Sequence, residues 1–347
     1  MKEKRMLMRV PVLTVTILMA LLLLAGTYTV IANSSPSARL APNSASAGSP
    51  TFWSSGWVSI TAGTCQVFTH SLGRSPESLA VDMWFQDTDG GLGINRRNYG
   101  GLEFNGNWYG AHWQKLTSTT IEACRQPNDN TADMIRLVVW VAPTPDYDSG
   151  WRVITPSYQL TFNHNLGGTA TDLTVGLYFS GTTRGIHQYA FGGLTKYISP
   201  TDYMYGAHWY NLTSTSVQVF RRLDDTDVEQ VRVVVSQSDP PAYDSGWQDI
   251  TAGSIVTFNH NLNWNPDMLL VRGECNDPGQ YNINLVYAGG DHWSGGFRGS
   301  NLQNLTANTV QFVRRANDDD CPKARVVIYK RSVTIYLPLV MRDYSSP

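Results

Sequence analysis

Apolar and polar residues alternate along most of the chain after residue 32, which is the pattern of half-buried β-strands. Leu160 and Phe162 share one face of a predicted strand, and Val256 and Phe258 share a face in the same way. Turn sequences such as DTDGG at Asp87 separate the strands, and no segment after residue 32 has a helical period. The pattern therefore predicts an all-β protein.

The same phrases occur three times along the chain. The openings are SGWVSITAGTCQVFTHSLG from Ser55, SGWRVITPSYQLTFNHNLG from Ser149 and SGWQDITAGSIVTFNHNLN from Ser245. The closing phrases LTSTTIEACRQPND, LTSTSVQVFRRLDD and LTANTVQFVRRAND begin at Leu116, Leu212 and Leu305. We predict three tandem antiparallel β-sandwich modules of about 90 residues, with about six or seven strands each, at 52–142, 147–238 and 243–331. The pattern leaves open whether they form a ring or a string.

The segments outside the repeats predict an exported protein. Basic residues, an apolar run from Val10 to Ala25 and small residues make 1–32 a signal peptide, with an uncleaved N-terminal anchor as the alternative. A Ser/Ala/Pro-rich linker at 33–51 and a C-terminal tail at 332–347, which contains YLPLV, flank the repeats. We expect a secreted or cell-surface location, with membrane anchoring only through the N-terminal segment.

Charge and cysteine content narrow the functional classes. The 26 Lys and Arg residues nearly balance 28 Asp and Glu residues, which argues against nucleic-acid binding. Four cysteines permit three pairings, and pairing within a repeat, Cys65–Cys124 and Cys275–Cys321, is favoured by locality. Each such bond would stabilise the fold by about 4 kcal/mol. Free thiols are the alternative.

Histidines recur at equivalent positions. His70, His164 and His260 each lie in F-x-H-x-L, where the favoured interpretation is a hydrogen-bonded histidine at the end of a strand. The alternative is a zinc site on a threefold axis. His112 and His208 lie in YGAHW, whereas Asn301 takes this position in the third repeat. This loss favours a tolerant binding surface or a structural contact over catalysis.

Each repeat also contains a Gly-Gly pair surrounded by aromatic and amide side chains. The three segments are NRRNYGGLEFNGNWYG, IHQYAFGGLTKYISPTDYMYG and NINLVYAGGDHWSGGFRG. Aromatic rings pack on the C–H face of a sugar, and polar side chains hydrogen-bond its hydroxyls. The predicted ligand-binding residues are Arg97, Trp108, Tyr109, His112, Trp113, Tyr203, Tyr205, His208, Trp209, His292, Trp293 and Arg298. A core position is the alternative for Trp113 and Trp209, and it is the prediction for Trp57, Trp151 and Trp247.

Acidic clusters precede the last strand of each repeat, in NDNTAD, DDTD and NDDD. They suit turns better than calcium loops, because their spacing is not that of a known calcium loop. No nucleophile elbow, zinc-protease or Walker motif is present in the sequence. We therefore predict a non-enzyme without a cofactor, calcium or zinc remaining as alternatives.

A further set of residues recurs in a fixed order: Gly56, Trp57, Phe68, Pro76, Phe85 and Asp87 in the first repeat, with Gly246, Trp247, Phe258 and Pro266 in the third; Ala170 replaces the proline in the second. This order of motifs resembles the H-type lectin domain. The resemblance implies a β-sandwich that assembles as a trimer and binds galactose-type sugars between neighbours. Three tandem copies would then form a monomer with pseudo-threefold symmetry.

The resulting hypothesis is an exported, non-catalytic, multivalent glycan-binding protein. Its partners would be glycans or cell-surface polysaccharide. A structural or adhesive envelope protein with protein-binding repeats is the first alternative. A secreted polysaccharide hydrolase is the second.

Overall fold

The computed structural model describes residues 50–198, 201–293 and 296–331. The predicted signal or anchor segment, all but the last two residues of the linker, and the C-terminal tail lie outside these ranges. Within the described part, no helix is long and apolar enough to cross a bilayer.

Each repeat contains ten strands, more than the six or seven predicted, because several are only two or three residues long. Repeat 1 contains β1 Phe52–Ser54, β2 Val58–Ser59, β3 Cys65–Thr69, β4 Leu79–Asp87, β5 Gly93–Asn95, β6 Leu102–Phe104, β7 Asn107–Tyr109, β8 Ala111–Gln114, β9 Thr120–Arg125 and β10 Met134–Val141. Repeat 2 contains β11 Tyr147–Asp148, β12 Arg152–Val153, β13 Gln159–Asn163, β14 Leu173–Gly181, β15 Gly185–His187, β16 Leu194–Ile198, β17 Thr201–Tyr205, β18 Ala207–Tyr210, β19 Ser216–Arg221 and β20 Gln230–Gln237. Repeat 3 contains β21 Tyr243–Asp244, β22 Gln248–Asp249, β23 Ile255–Asn259, β24 Leu269–Asp277, β25 Asn282–Asn284, β26 Asp291–Trp293, β27 Gly296–Arg298, β28 Ser300–Gln303, β29 Thr309–Arg314 and β30 Lys323–Lys330. The helical elements described are 3₁₀ turns at Pro76–Ser78, Ala170–Asp172 and Pro266–Met268.

These strands form the same three sheets in every repeat. In repeat 1 a five-stranded sheet has the order β1-β10-β4-β5 with β2 also paired to β10, a three-stranded sheet has the order β3-β9-β8, and β6-β7 is a hairpin. The five-stranded and three-stranded sheets bury side chains in one hydrophobic cluster. Phe68 and Ile121 come from the three-stranded sheet, and Met83 and Leu137 come from the five-stranded sheet. Burying one such side chain stabilises the fold by about 1.5–3 kcal/mol.

The three five-stranded sheets and the three three-stranded sheets form the blades of a six-bladed β-propeller with a threefold repeat. They join across the repeats because the residue after β8 hydrogen-bonds to the residue before β15, and the residues after β18 and β28 bond in the same way to those before β25 and β5. The amides of Lys115, Asn211 and Asn304 donate to the carbonyls of Arg184, Tyr281 and Leu92 at 2.9, 2.8 and 2.9 Å. We call these contacts boundaries 1/2, 2/3 and 3/1. Since the last joins repeat 3 to repeat 1, the repeats close into a ring.

The all-β class is confirmed, and the predicted β-sandwich modules are wrong. A free-standing sandwich would leave the second face of its larger sheet in water. Here that face is covered by the neighbouring repeat, as shown by Trp84 of β4, which is fully buried in the hydrophobic cluster of repeat 3. The blades therefore belong to one body.

The Gly-Gly pairs join each repeat to its neighbour through backbone hydrogen bonds. The amides of Asn98, Ala190 and Tyr287 donate to the carbonyls of Gly289, Gly100 and Gly192 of the neighbouring repeats at 2.7, 2.9 and 2.7 Å. A Cβ on Gly100 would lie 2.8 Å from the Phe191 nitrogen, and the equivalent contacts of Gly192 and Gly289 are 2.6 and 2.7 Å. Only glycine allows this approach of backbones.

The tryptophans predicted as core anchors instead reach toward neighbouring repeats. The indole N–H of Trp57 donates to Asp267 of repeat 3 at 3.3 Å, and that of Trp151 donates to Glu77 of repeat 1 at 3.5 Å. Trp247 packs against the hydrophobic cluster of repeat 2. All three side chains are half-buried, so they pack between repeats rather than at the centre of their own.

Candidate functional site

Two of the predicted ligand-binding residues lie in the core. Trp113 is 0% exposed, and its indole N–H donates to the Tyr99 hydroxyl and to Gln188, both at 3.1 Å. Trp209, its equivalent, is 1% exposed. Neither ring offers a face to a ligand, so the structure places both at the core position that was the alternative.

His70, His164 and His260 do not meet on the threefold axis. Each is buried, and each Nδ1 accepts a hydrogen bond from the amide two residues later, at 3.3–3.4 Å. Burial lowers the pKa of all three imidazoles. Their nitrogens do not lie within 4.8 Å of one another, so the geometry gives no three-histidine zinc site. They fix the turn after the strand, as the favoured interpretation had it.

The acidic clusters are turns organised by ion pairs. Asp129 accepts from Arg125 at 2.9 Å and from the amides of Gly110 and Ala132 at 2.7 and 2.9 Å. The pairs Arg221–Asp225 and Arg314–Asp318 repeat this arrangement at 2.8 and 2.9 Å. Because these carboxylates already have partners, the buried acids hold the turn rather than a calcium ion.

Two groups within the described residues have the ligand spacing of a metal site. In the first, Cys65 and Cys124 form a disulfide and so offer no thiolate. In the second, Asp87 accepts hydrogen bonds from the amides of Gly90 and Leu92 and so belongs to a turn. Neither arrangement needs a metal.

A surface pocket with a volume of about 320 Å³ lies at boundary 1/2. Repeat 1 contributes Trp108, His112, Gln114, Gln126 and the Cys65–Cys124 disulfide, and repeat 2 contributes Arg184 and Tyr189. The cross-strand disulfide that the sequence predicted thus forms part of the pocket wall. Trp108 and His112 are the two predicted ligand-binding residues that this pocket brings together.

Arg184 organises the polar side of this pocket. Its guanidinium lies 3.8 Å from the centre of the Tyr189 ring, pairs with Asp227 at 2.9 Å and donates to the side-chain Oε1 of Gln114 at 2.7 Å. The Gln126 side chain makes no hydrogen bond to the described residues, so its amide remains available. The result is a fixed cation, an available amide and half-exposed aromatic surface in one cavity.

His112 is neutral in this setting. Burial, followed by the nearby positive charge of Arg184, lowers the pKa of His112 to about 3. Its ring lies 4.9 Å from Tyr189, and its Nδ1 is buried without a partner in the described chain. A neutral imidazole here contributes a hydrogen-bonding group and ring surface, not a positive charge.

Boundary 2/3 has the same backbone hydrogen bonds as boundary 1/2, but different side chains surround them. His208 replaces His112, Tyr281 replaces Arg184 and Arg222 replaces Gln126. The His208 ring lies 6.4 Å from Tyr281, and Arg222 lies 4.6 Å from the Tyr287 ring. Burial, followed by the charge of Arg222, lowers the pKa of His208 well below its ordinary value.

At boundary 3/1 the histidine position holds Asn301, as the sequence alignment predicted. Arg97, another of the predicted ligand-binding residues, lies on the repeat 1 side of this boundary, two residues after the paired strand β5. Arg315 of repeat 3 occupies the position of Gln126.

The other predicted residues lie on or beside the three hairpins β6-β7, β16-β17 and β26-β27, which contact one another. Tyr109 and Tyr205 are half-buried and Tyr203 is exposed. His292 packs against Phe104 and Phe297 at 4.4 and 4.8 Å, and Arg298 pairs with Asp291 at 3.0 Å. The side chain of Trp293 lies outside the described part.

Sequence reasoning missed the residues that reach the pocket from the neighbouring repeat, Arg184 and Tyr189, and also Gln114 and Gln126. They lie on both sides of a boundary, and a single repeat does not contain the pocket. The one available signal was the resemblance, which implied binding between neighbours.

Comparison with known proteins gives no family assignment: no family model, no curated protein and no solved structure matches this chain.

Proposed function

We propose that this protein is an exported, non-catalytic carbohydrate-binding protein whose sites lie at the boundaries between repeats. The observation that carries the proposal is the pocket at boundary 1/2, where Trp108 and Tyr189 accompany Arg184, Gln114 and Gln126. Partly exposed aromatic surface suits the C–H face of a pyranose, and fixed amide and guanidinium groups suit its hydroxyls. The two disulfides are consistent with an extracellular setting.

The triplicated ring supports multivalent binding in this proposal. A single shallow sugar site with a millimolar dissociation constant corresponds to about −4 kcal/mol. Three boundaries held in one ring would let a polysaccharide or a glycan-coated surface engage several sites, which raises avidity about a hundredfold or more where the spacing fits.

The test is a glycan array followed by calorimetric titration of the sugars that bind. Trp108→Ala should weaken binding about tenfold, because a half-buried aromatic contact is worth about 1–2 kcal/mol. The matched control is Trp264→Ala, which removes an exposed indole outside the pocket residues.

Equal loss in both variants, or no loss in Trp108→Ala, would place the sugar elsewhere. Absence of binding to every sugar on the array would overturn the proposal and favour the structural or adhesive alternative.

A further inference from the structure

Boundary 3/1 differs from the other two at a pair of equivalent positions. Equivalent backbone hydrogen bonds identify these positions. At the first position, the backbone amide donates to the side chain two residues earlier; the residue is Tyr189 at boundary 1/2, Val286 at boundary 2/3 and Arg97 at boundary 3/1. At the second position, the backbone amide donates to a glycine carbonyl; the residue is Gln126, Arg222 and Arg315 at the same three boundaries. At boundary 1/2 both positions line the pocket, so Arg97 and Arg315 occupy the corresponding place at boundary 3/1.

Neither guanidinium has an ion-pair partner within the described residues. The Nε atoms of Arg97 and Arg315 are buried and make no hydrogen bond there. The Arg315 side chain lies against Gly290, where an added Cβ would be 3.2 Å from its Nε. Burial, followed by repulsion from Arg97, lowers the pKa of Arg315 to about 10, so Arg315 remains charged at neutral pH.

Boundary 3/1 lacks the acidic residue that lies near arginines at the other two boundaries. The equivalent residues are Asp227 at boundary 1/2, Asp320 at boundary 2/3 and Thr131 at boundary 3/1. They are equivalent because their backbone carbonyls accept hydrogen bonds from the side chains of His187, Asn284 and Asn95. Asp227 pairs with Arg184 at boundary 1/2, and the charges of Arg298 and Arg222 act on the Asp320 carboxyl at boundary 2/3. At boundary 3/1 the residue is the neutral Thr131.

Two nearby acids do attract Arg97, but both are engaged elsewhere. Asp129 is bound by Arg125 and by backbone amides, and Asp87 accepts from the amides of its own turn. Both attract Arg97 electrostatically without forming an ion pair with it, and neither acts on Arg315. The boundary therefore retains donor capacity and positive charge.

We propose that boundary 3/1 binds a saccharide that carries an oxyanion, either a carboxylate or a sulfate ester, between Arg97 and Arg315. This inference rests on the proposed function and names the ligand class of one boundary. Guanidinium groups suit such anions because their N–H donors match two oxygens at once. Phe297, which is 37% exposed, occupies the position of Trp108 and offers a ring face, and the buried Asn301 Oδ1 has no donor within the described chain.

The test compares galactose, galacturonic acid and galactose 6-sulfate, which differ only at C6. Binding to the full chain is measured by saturation-transfer difference NMR, with inorganic sulfate as competitor. Because charge-assisted hydrogen bonds are stronger than neutral ones, we expect at least one acidic sugar to bind about tenfold more tightly than galactose.

Arg315→Gln and Arg97→Tyr install residues that boundary 1/2 already has, so both should fold, and each should remove the preference. Arg152→Gln, which removes an exposed arginine on β12, is the charge control and should leave the preference unchanged.

A preference for both acids supports oxyanion recognition in general, and a preference for one identifies carboxylate or sulfate as the source. Competition by inorganic sulfate supports recognition of the anion itself. Equal affinity for all three sugars, or a preference that survives Arg315→Gln, overturns the inference. In that event, continued binding of galactose that depends on Trp108 would leave the proposed function standing.

Discussion

Gly100→Ala tests whether the ring closes through its Gly-Gly pairs. Gly100 has φ +85°, and an added Cβ would lie 2.8 Å from the Phe191 nitrogen of repeat 2. The matched control is Gly106→Ala at the turn of the β6-β7 hairpin, where φ is +79° and no atom lies within 4 Å of the added Cβ. The two substitutions share the backbone strain and differ in the contact between repeats.

The expected magnitudes follow from these two terms. A left-handed alanine costs about 1–2 kcal/mol in both variants. Gly100→Ala must also move apart two packed backbones, which costs about 1–3 kcal/mol more. It further weakens the hydrogen bond from the Ala190 amide to the Gly100 carbonyl, worth about 1 kcal/mol.

Urea unfolding followed by tryptophan fluorescence measures the difference. We expect the unfolding midpoint to fall by at least twice as much in Gly100→Ala as in Gly106→Ala. Hydrogen exchange at the Ala190 amide should accelerate only in Gly100→Ala. Equal midpoint shifts, with Ala190 protected in both variants, would refute the closure of the ring through these glycines.

Two further predictions concern repeat 3. Replacing both Cys275 and Cys321 by alanine should lower the free energy of unfolding by about 4 kcal/mol, because the bond spans 46 residues; an unchanged urea midpoint would contradict this. Burial, followed by the charges of Asp319 and Asp318, raises the pKa of Asp320 to about 7 from its ordinary 3.8, so protonated Asp320 stabilises the fold. This contribution is complete below about pH 4 and is lost as pH rises through 7. Asp320→Asn should flatten that decline and be more stable than the wild type at pH 8, whereas parallel pH profiles in urea unfolding would argue against it.

The sequence contained enough to predict the repeats, the strand class and both disulfides. Repeated phrases align the three copies without ambiguity, and alternation identifies strands because one face of each is always buried. Cys65 and Cys124 prove to be directly opposite on β3 and β9. The alignment of Asn301 with the histidines also holds, because it depends only on counting from a shared leucine.

Ring closure was harder to predict because it depends on the second face of a sheet. β10, MIRLVVWV, is buried at five successive positions, from Ile135 to Val139. Such a run is typical of a strand covered on both faces. The run was visible in the sequence, but it does not say what covers the second face. The boundary pocket was out of reach for the same reason, since Arg184 and Trp108 belong to different repeats.

The repeated residues and the candidate binding residues prove to be different sets. The arginine–aspartate turns and the Gly-Gly contacts occur in all three repeats, because each holds backbone that the ring needs at every boundary. Two of the pocket positions diverge, from Tyr189 with Gln126 at boundary 1/2 to Arg97 with Arg315 at boundary 3/1. These four side chains make no hydrogen bond that holds the backbone of the ring, so they are free to vary. A trimer of identical chains has three equal sites by symmetry. A ring formed by a single chain is free of that constraint, so the side chains at its three boundaries are able to differ, as they do here.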